Sequence, residues 1–331
     1  MTPTGRSFRH IRPPARGRIR PGAAVRSRRT SAGRIRSRTA AGPVLAATAL
    51  LLSLAGCADP SDHGNWASRQ GGPATRKPSP KPAPAWRTDP ASVAALGDSI
   101  TVGFDACSVL ADCPRVSWAT GTDPQVNSVA RRLLKDPVGH SWNLARTGAL
   151  MSELPAQVDA AVRHRPELVT ILIGANDACR STAAAMTPVA GFRADFRTAM
   201  TRLRRALPKT QVYVAAVPDL MRLWSQGRTS SLGKEIWKLG ICGSMLRDPD
   251  DLGKAAADRR LGVRNRVMAY NAALKDVCAK DRLCRYDRAV FDYRFTTDEL
   301  SGWDWFHPGR EGQRELAALA HREITRQEPA G

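Results

Sequence analysis

Three features are missing from this sequence of 331 residues, and each absence excludes one kind of site or segment. No two cysteines have the CxxC spacing typical of zinc and redox sites. No glycine-rich loop has the spacing of a dinucleotide-binding fingerprint. The apolar run at residues 44–55 has twelve residues, whereas about 20 are needed to span a bilayer. We therefore expect no metal and no bound cofactor, and we expect the apolar run to be the core of a signal peptide.

Lysine and acidic residues are absent from residues 1–56, which contain twelve arginines. The rest of the chain has 39 basic and 30 acidic residues, so the net charge of +21 falls to +9 without this segment. The basic character thus belongs largely to a leader, and no nucleic-acid partner is expected. Its end, "LAGC" at Leu54–Cys57, resembles the lipobox of bacterial lipoproteins. That resemblance implies export, cleavage before Cys57 and a lipid anchor on its sulfur at the outer face of the membrane; the alternative is a plain secretory signal.

Residues 57–90 are predicted to be a disordered tether, because seven prolines and little apolar surface lie between residues 58 and 90. Residues 91–327 are long enough for one domain, which we expect to be a monomer. The domain has six cysteines, an even number that is typical of an oxidising compartment and allows fifteen sets of three disulfides. The predicted pairs are Cys107–Cys113, Cys179–Cys242 and Cys278–Cys284.

Short apolar runs alternate with amphipathic ones along the domain. Strands are predicted over residues 92–96, 142–145, 168–173 and 211–217, and late helices over residues 263–280 and 308–326. This alternation predicts an α/β fold with a parallel sheet between two helical layers. Residues 219–260 interrupt it, and this insert is either a surface elaboration or a wall or lid of the substrate pocket.

Polar turns follow three of the predicted strands: Gly97–Ser99, Arg146–Gly148 and Gly174–Asp177. Ligands bind beyond the carboxyl ends of parallel strands, so these turns are expected to meet at one edge of the sheet. His140 and His164 precede strands and belong to the opposite edge, and His321 lies about 20 Å along the last helix from His307. Only His307 is expected at the site, with Asp304 three residues earlier to orient its ring.

Four segments together resemble the blocks of the SGNH, or GDSL, hydrolase family. They are "GDSITVG" (Gly97–Gly103), "NLARTG" (Asn143–Gly148), "GAND" (Gly174–Asp177) and "DWFH" (Asp304–His307). The resemblance implies a flavodoxin-like three-layer fold and ester hydrolysis. It also implies that Ser99 is the nucleophile, His307 the base and Asp304 its orienting partner. The oxyanion hole would consist of the backbone N–H groups of Ser99 and Gly148 and the side chain of Asn176.

The predicted function is cleavage of carboxylic esters through an acyl-enzyme on Ser99, with a small ester or an acyl lipid as the substrate. The segment "CPRVSWATG" (Cys113–Gly121) resembles exported relatives, and this resemblance slightly favours acyl lipid esters. Three alternatives remain. An acyltransferase of the same family would pass the acyl group to an alcohol, and an O-acetyl-glycan esterase would remove it from a sugar. A surface-binding lipoprotein would keep the fold without the chemistry.

Overall fold

A five-stranded parallel sheet forms the centre of the protein, which is described here by a computed structural model for residues 85–327. The strands are β1 (Val93–Gly97), β2 (Ser141–Asn143), β3 (Leu168–Leu172), β4 (Gln211–Ala215) and β5 (Cys284–Asp287). Their order is β2-β1-β3-β4-β5, and every neighbouring pair is parallel. This is the strand order of flavodoxin-like sheets. The α/β fold class expected from the sequence is confirmed.

Eleven α-helices lie within the described residues. In chain order they are α1 (Ser99–Val102), α2 (Val129–Leu133), α3 (Leu154–Val162), α4 (Ala175–Ala178), α5 (Val189–Ala206), α6 (Leu220–Gly227), α7 (Ser231–Trp237), α8 (Gly243–Leu246), α9 (Lys254–Cys278), α10 (Ala289–Asp292) and α11 (Arg310–Thr325).

The sheet is covered on both faces, which explains why three of its strands, β1, β3 and β4, are largely apolar. Helices α3, α5 and α9 pack side by side on one face, while α2 and α11 pack together against the other. Every residue of β1, β3 and β4 is buried as a result. A strand buried on both faces needs apolar side chains at successive positions rather than at alternate ones.

Strand β5 was not predicted, because its sequence CRYD contains two charged residues. Both are buried, and both have partners. Arg285 donates to the backbone oxygen of Glu323, and its guanidinium lies 4.2 Å from the centre of the Trp86 ring. Asp287 accepts a hydrogen bond of 2.9 Å from the hydroxyl of Tyr213. Burial of a charged group needs such compensation, and the partners come from distant parts of the chain.

The insert is shorter than predicted. Helices α6, α7 and α8 lie within residues 219–260, but α9 already begins at Lys254, nine residues before the predicted start of that helix. The segment KAAADRR at its beginning is rich in helix-forming residues, and Lys254 forms an ion pair with Asp258 one turn later. The insert therefore ends near residue 253.

Three disulfides join Cys107 to Cys113, Cys179 to Cys242 and Cys278 to Cys284, the pairs expected from the sequence. The predicted signal segment 1–56, the lipidation site Cys57 and residues 57–84 of the tether lie outside the described residues. The last part of the tether contacts the domain, since the Trp86 indole N–H donates to the backbone oxygen of Ile324. Among residues 85–327, none of the helices combines the length and apolarity needed to cross a bilayer.

Candidate active site

The turn that follows β1 presents Ser99 at the first position of α1. The backbone of Gly97 has φ +154°, and a Cβ at this position would lie 2.3 Å from the backbone oxygen of Leu172, so only glycine fits. The Asp98 carboxylate caps α1 by accepting from the backbone N–H of Ile100 at 3.0 Å. Gly103, with φ +79°, ends the helix after one turn. We call residues 97–103 the Ser99 turn.

Two buried glutamines attach this turn to the rest of the fold, and neither was identified from the sequence. The Gln157 side chain accepts from the N–H of Gly97 and donates to its carbonyl oxygen, both at 2.8 Å. Gln313, from α11, donates to the carbonyl oxygen of Ile100 at 2.9 Å. Buried amides that bond to backbone groups on both sides hold those groups in place. No local sequence pattern marks either residue.

Ser99 and His307 meet although 208 residues separate them. The Ser99 Oγ lies 3.0 Å from Nε2 of His307, and the Asp304 Oδ2 lies 2.5 Å from Nδ1 of the same ring. The other oxygen of Asp304 accepts from the backbone N–H groups of Phe306 and His307, both at 2.9 Å. The serine, the ring and the carboxylate thus form a continuous chain of hydrogen bonds.

The charges in this chain favour an ionised Asp304 and a basic His307. Burial opposes ionisation of Asp304, but the His307 ring and the backbone N–H donors outweigh it and lower the pKa of the carboxyl. Burial alone would lower the pKa of His307, and the adjacent Asp304 carboxylate reverses this, so the His307 pKa lies above its ordinary value. His307 is consequently a stronger base than a free imidazole.

The other histidines of the domain lie where the sequence placed them. His140 directly precedes β2 and is paired with Asp136, and His164 precedes β3 and stacks on Trp142 with ring centres 4.6 Å apart. His321 lies within α11. None of the three approaches Ser99.

The turns that follow β2 and β3 form the other side of the site. Gly148 has φ +80°, a left-handed conformation that favours glycine, and no protein atom lies within 4 Å of the position a Cβ would occupy. The Asn176 amide donates to the carbonyl oxygen of Ala149 at 3.1 Å, which fixes it beside the Gly148 turn and leaves its second N–H for another acceptor. The backbone N–H of Ser99 lies in the first turn of α1, where such groups have no partner within the helix.

Asp177 supports this region rather than facing the nucleophile. It is buried, and it accepts from the backbone N–H of Met151 at 2.9 Å. Burial raises the pKa of its carboxyl. Asn143 has a similar structural role, because its amide donates to the carbonyl oxygen of Thr101 at 3.0 Å and so joins the second turn to α1.

The model of the GDSL-like lipase/acylhydrolase family matches residues 95–315, which include all of these turns and the His307 segment. The chain belongs to this family. Its class of reaction is therefore ester hydrolysis.

Several solved esterase structures are similar to this GDSL-like hydrolase. An acetyl xylan esterase from Geobacillus stearothermophilus is 17% identical, with 74% of this chain and 100% of that chain covered and a TM-score of 0.45. A family two carbohydrate esterase from Clostridium thermocellum is 14% identical, with 74% and 66% covered and a TM-score of 0.44. A family 3 carbohydrate esterase from the same organism is 12% identical, with 70% and 94% covered and a TM-score of 0.42. No curated protein matches the chain.

A further buried carboxyl of this GDSL-like hydrolase, Asp105, lies beside Asp304 and His307 and was not identified from the sequence. Asp105, Asp304 and His307 have potential ligand atoms within 4.8 Å of one another. Burial and the neighbouring Asp304 charge raise the pKa of Asp105 to about 6. Among residues 85–327, this is the only cluster of three or more such side chains that could bind a metal ion. Both ring nitrogens of His307 already have protein partners, Ser99 and Asp304, so a metal would have to displace one of them.

The insert holds the segment that carries His307. We call residues 301–308 the His307 loop. The indole N–H of Trp237, in α7, donates to the backbone oxygen of Asp304 at 2.7 Å. Trp305 has φ +52°, an unfavourable conformation for a bulky residue. Gly227 and Gly233 lie so close to Trp305 that an added Cβ would be 2.0 Å from its backbone oxygen and 3.0 Å from its Cβ, respectively.

A cavity of about 180 Å³ opens beside Ser99 and His307. Its lining consists of Ser99, Asn176, His307 and their neighbours together with residues of α6 and of the segment before α8. The insert is therefore neither a detached surface elaboration nor a separate lid. It forms a wall of the pocket and a support for the His307 loop.

Proposed function

We propose that this GDSL-like hydrolase cleaves carboxylic esters by double displacement, with Ser99 as nucleophile, His307 as general base and acid, and Asp304 as the residue that orients His307. The observation that carries this assignment is the distance of 3.0 Å between the Ser99 hydroxyl and a His307 nitrogen whose ring is held by Asp304 at the other side. A serine hydroxyl is a weak nucleophile unless a base takes its proton, and this geometry provides the base.

In the first step Ser99 Oγ attacks the ester carbonyl while Nε2 of His307 takes the hydroxyl proton. Asp304 keeps the proton on Nδ1 and stabilises the imidazolium that forms. The tetrahedral intermediate then collapses, and His307 gives its proton to the leaving alcohol. Water, deprotonated by His307, attacks the acyl-enzyme in the same way and releases the acid and Ser99.

The negative charge of each tetrahedral intermediate requires donors that are already oriented. We assign this task to the N–H groups of Ser99 and Gly148 and to the free amide N–H of Asn176. The amide of Asn176 is fixed through Ala149, so it does not need to reorganise during the reaction. Removal of one such donor typically lowers kcat by about 10²–10³-fold.

The assignment is tested by Ser99→Ala and His307→Ala, with His321→Ala as the matched control. Each site variant should lower kcat for p-nitrophenyl butanoate by about 10⁴–10⁶-fold, and the double variant should be no slower than either single one. Ser99→Ala should also abolish labelling by a fluorophosphonate and the burst of p-nitrophenol. A burst or a label retained in Ser99→Ala would refute the assignment. An acyl product formed on an added alcohol in place of the free acid would identify a transferase.

We also propose that the mature protein is anchored outside the cell through a lipid on Cys57 and a tether ending near residue 90. The sequence LAGC and the proline content of the tether support this proposal. In a bacterial host the wild-type protein should sediment with membranes, and Cys57→Ser should appear in the medium. A Cys57→Ser protein that still sediments with membranes would contradict the anchor.

A further inference from the structure

The pocket beside Ser99 has an apolar end that belongs to the insert. Leu220 and Leu223, in α6, are each only 1% exposed to solvent. They line this end together with Ile241 and the Cys179–Cys242 disulfide. The polar groups that line the cavity are those at its catalytic side, Ser99, Asn176 and His307. An apolar group attached to the carbonyl at Ser99 would therefore be removed from water on entering the pocket.

Of the two groups of an ester, the acyl group fits this pocket better than the alcohol. The acyl chain stays bound through both steps of double displacement, whereas the alcohol must leave and be replaced by water. An apolar surface next to the nucleophile suits the group that stays. The side of Nε2 on which the alcohol leaves must remain accessible to water for the second step.

The volume of the pocket limits the length of the acyl chain that it can hold. A protein cavity of roughly 150 Å³ holds a benzene molecule, which has six carbon atoms. A volume of about 180 Å³ thus accommodates an acyl group of up to about six carbons. A longer chain would extend beyond the pocket unless Leu220, Leu223 or Ile241 moved.

The end of the pocket is tied to the sheet layer at several points. Cys242 is bonded to Cys179, directly after α4. The hydroxyl of Ser244 donates to the carbonyl oxygen of Ala178 at 2.6 Å, and its backbone N–H donates to that of Arg180 at 2.7 Å. Because α4 also carries Asn176, the end wall and the oxyanion donor belong to one cross-linked unit.

We propose that this pocket is the acyl site and that its lining residues Leu220, Leu223 and Ile241 make the enzyme specific for short acyl groups, from acetyl to about hexanoyl, rather than for long-chain acyl lipids. The inference depends on the proposed Ser99 chemistry and adds the substrate class to it. It selects the small ester, whereas the sequence slightly favoured an acyl lipid.

The test compares Ile241→Ala with Leu239→Ala on p-nitrophenyl esters of two to twelve carbons, each below its solubility limit. Ile241 lines the pocket and is only partly buried, so its truncation spares the core; Leu239 is 78% exposed in the same insert and serves as the matched control. The wild-type kcat/KM should fall at least tenfold between butanoate and decanoate. Ile241→Ala should raise the octanoate-to-butanoate ratio about tenfold. Ile241→Trp should lower the octanoate-to-butanoate ratio and should also lower kcat/KM for butanoate relative to acetate. Leu239→Ala should leave the octanoate-to-butanoate ratio unchanged.

A wild-type enzyme that hydrolyses dodecanoate as well as butanoate would overturn the inference, as would an unchanged ratio in Ile241→Ala. Fluorophosphonate labelling of Ser99 in the same preparations separates this failure from that of the proposed function. If Ser99 is labelled but the enzyme prefers long-chain esters, only the inference about acyl length fails. Absence of both labelling and ester turnover removes the Ser99 chemistry and the inference with it.

Discussion

The Ser99 turn and the His307 loop meet at one hydrogen bond, but they are held in place by different means. The Ser99 turn has its own signals, because Gly97, the Asp98 cap and Gly103 lie within seven residues and each fits the backbone there. The His307 loop contains Trp305 in a left-handed conformation, which a bulky side chain adopts only when its surroundings impose it. Those surroundings are α6 and α7.

This difference shows how an insert takes part in catalysis without contributing a reacting group. Trp237 bonds to the backbone of Asp304, and Gly227 allows the Trp305 backbone to come close. The orientation of the His307 ring therefore depends on the insert, whereas the Ser99 turn depends on its local signals and on Gln157 and Gln313, which lie outside the insert. Three changes test this comparison, in decreasing order of effect.

Gly227→Ala should affect the His307 loop most strongly. Its Cβ would lie 2.0 Å from the Trp305 backbone oxygen, so the loop must move, and a displacement of about 1 Å at a catalytic group can lower kcat by about 10²-fold. The measurement is kcat for p-nitrophenyl butanoate, with the fold checked by circular dichroism. Gly262→Ala, in α9 with no atom within 4 Å of the added carbon, is the matched control and should keep full activity. Unchanged kcat in Gly227→Ala would mean that the insert does not position His307.

Asp98→Ala tests whether the Ser99 turn is stabilised by its own helix cap. Loss of the cap is expected to lower the free energy of unfolding by about 1 kcal/mol. Burial raises the pKa of Asp98 to about 7, so at pH 5 its carboxyl is protonated and as neutral as an amide. Folding at pH 5 must then bind a proton that the unfolded Asp98, with an ordinary pKa of about 3.9, lacks, and this costs the wild type free energy. Asp98→Asn keeps the acceptor without this cost, so in urea unfolding at pH 5 it should be at least as stable as the wild type and about 1 kcal/mol more stable than Asp98→Ala. An Asn variant as unstable as the Ala variant would exclude the cap as the cause.

Asp105→Asn should have the smallest effect, a change in pH dependence. Catalysis needs neutral His307, and its raised pKa places the acid limb of kcat/KM above pH 6.5. The carboxylates of Asp304, Asp105 and Asp98 all favour the imidazolium. Removal of the Asp105 charge should lower the His307 pKa and move the acid limb to lower pH. Asp258→Asn, at an exposed position in α9, is the control; an acid limb that stays in place would show that Asp105 is neutral or too far to act.

The sequence allowed the fold to be predicted where the pattern is continuous. Strands β1, β3 and β4 are buried on both faces, so each is a largely apolar run, in which Thr170 and Gln211 are the polar exceptions. Strand β5 has no such run, because Arg285 and Asp287 are satisfied by Trp86, Tyr213 and the end of α11. Their partners lie far away along the chain, and no local pattern can indicate them.

The candidate site also has residues that the sequence predicted and residues that it did not. The rule that ligands bind beyond the carboxyl ends of parallel strands was enough to bring Ser99, Gly148 and Asn176 to one edge and to select His307 among the histidines. Gln157, Gln313, Trp237 and Asp105 were missed. An amide, an indole or a second carboxyl gains its role only from the backbone or charge it meets, and those contacts span 60 residues or more for the two glutamines and for Trp237.

By itself the sequence determined the order of strands and helices, the residue types at each strand end and the number of cysteines available for pairing. These depend on periodicity and on backbone requirements that act over a few residues. Tertiary structure alone decided the volume of the pocket, the support of the His307 loop by the insert and the proximity of Asp105 to Asp304. Each of these is a distance between atoms of separate segments, and only the packed fold sets such distances.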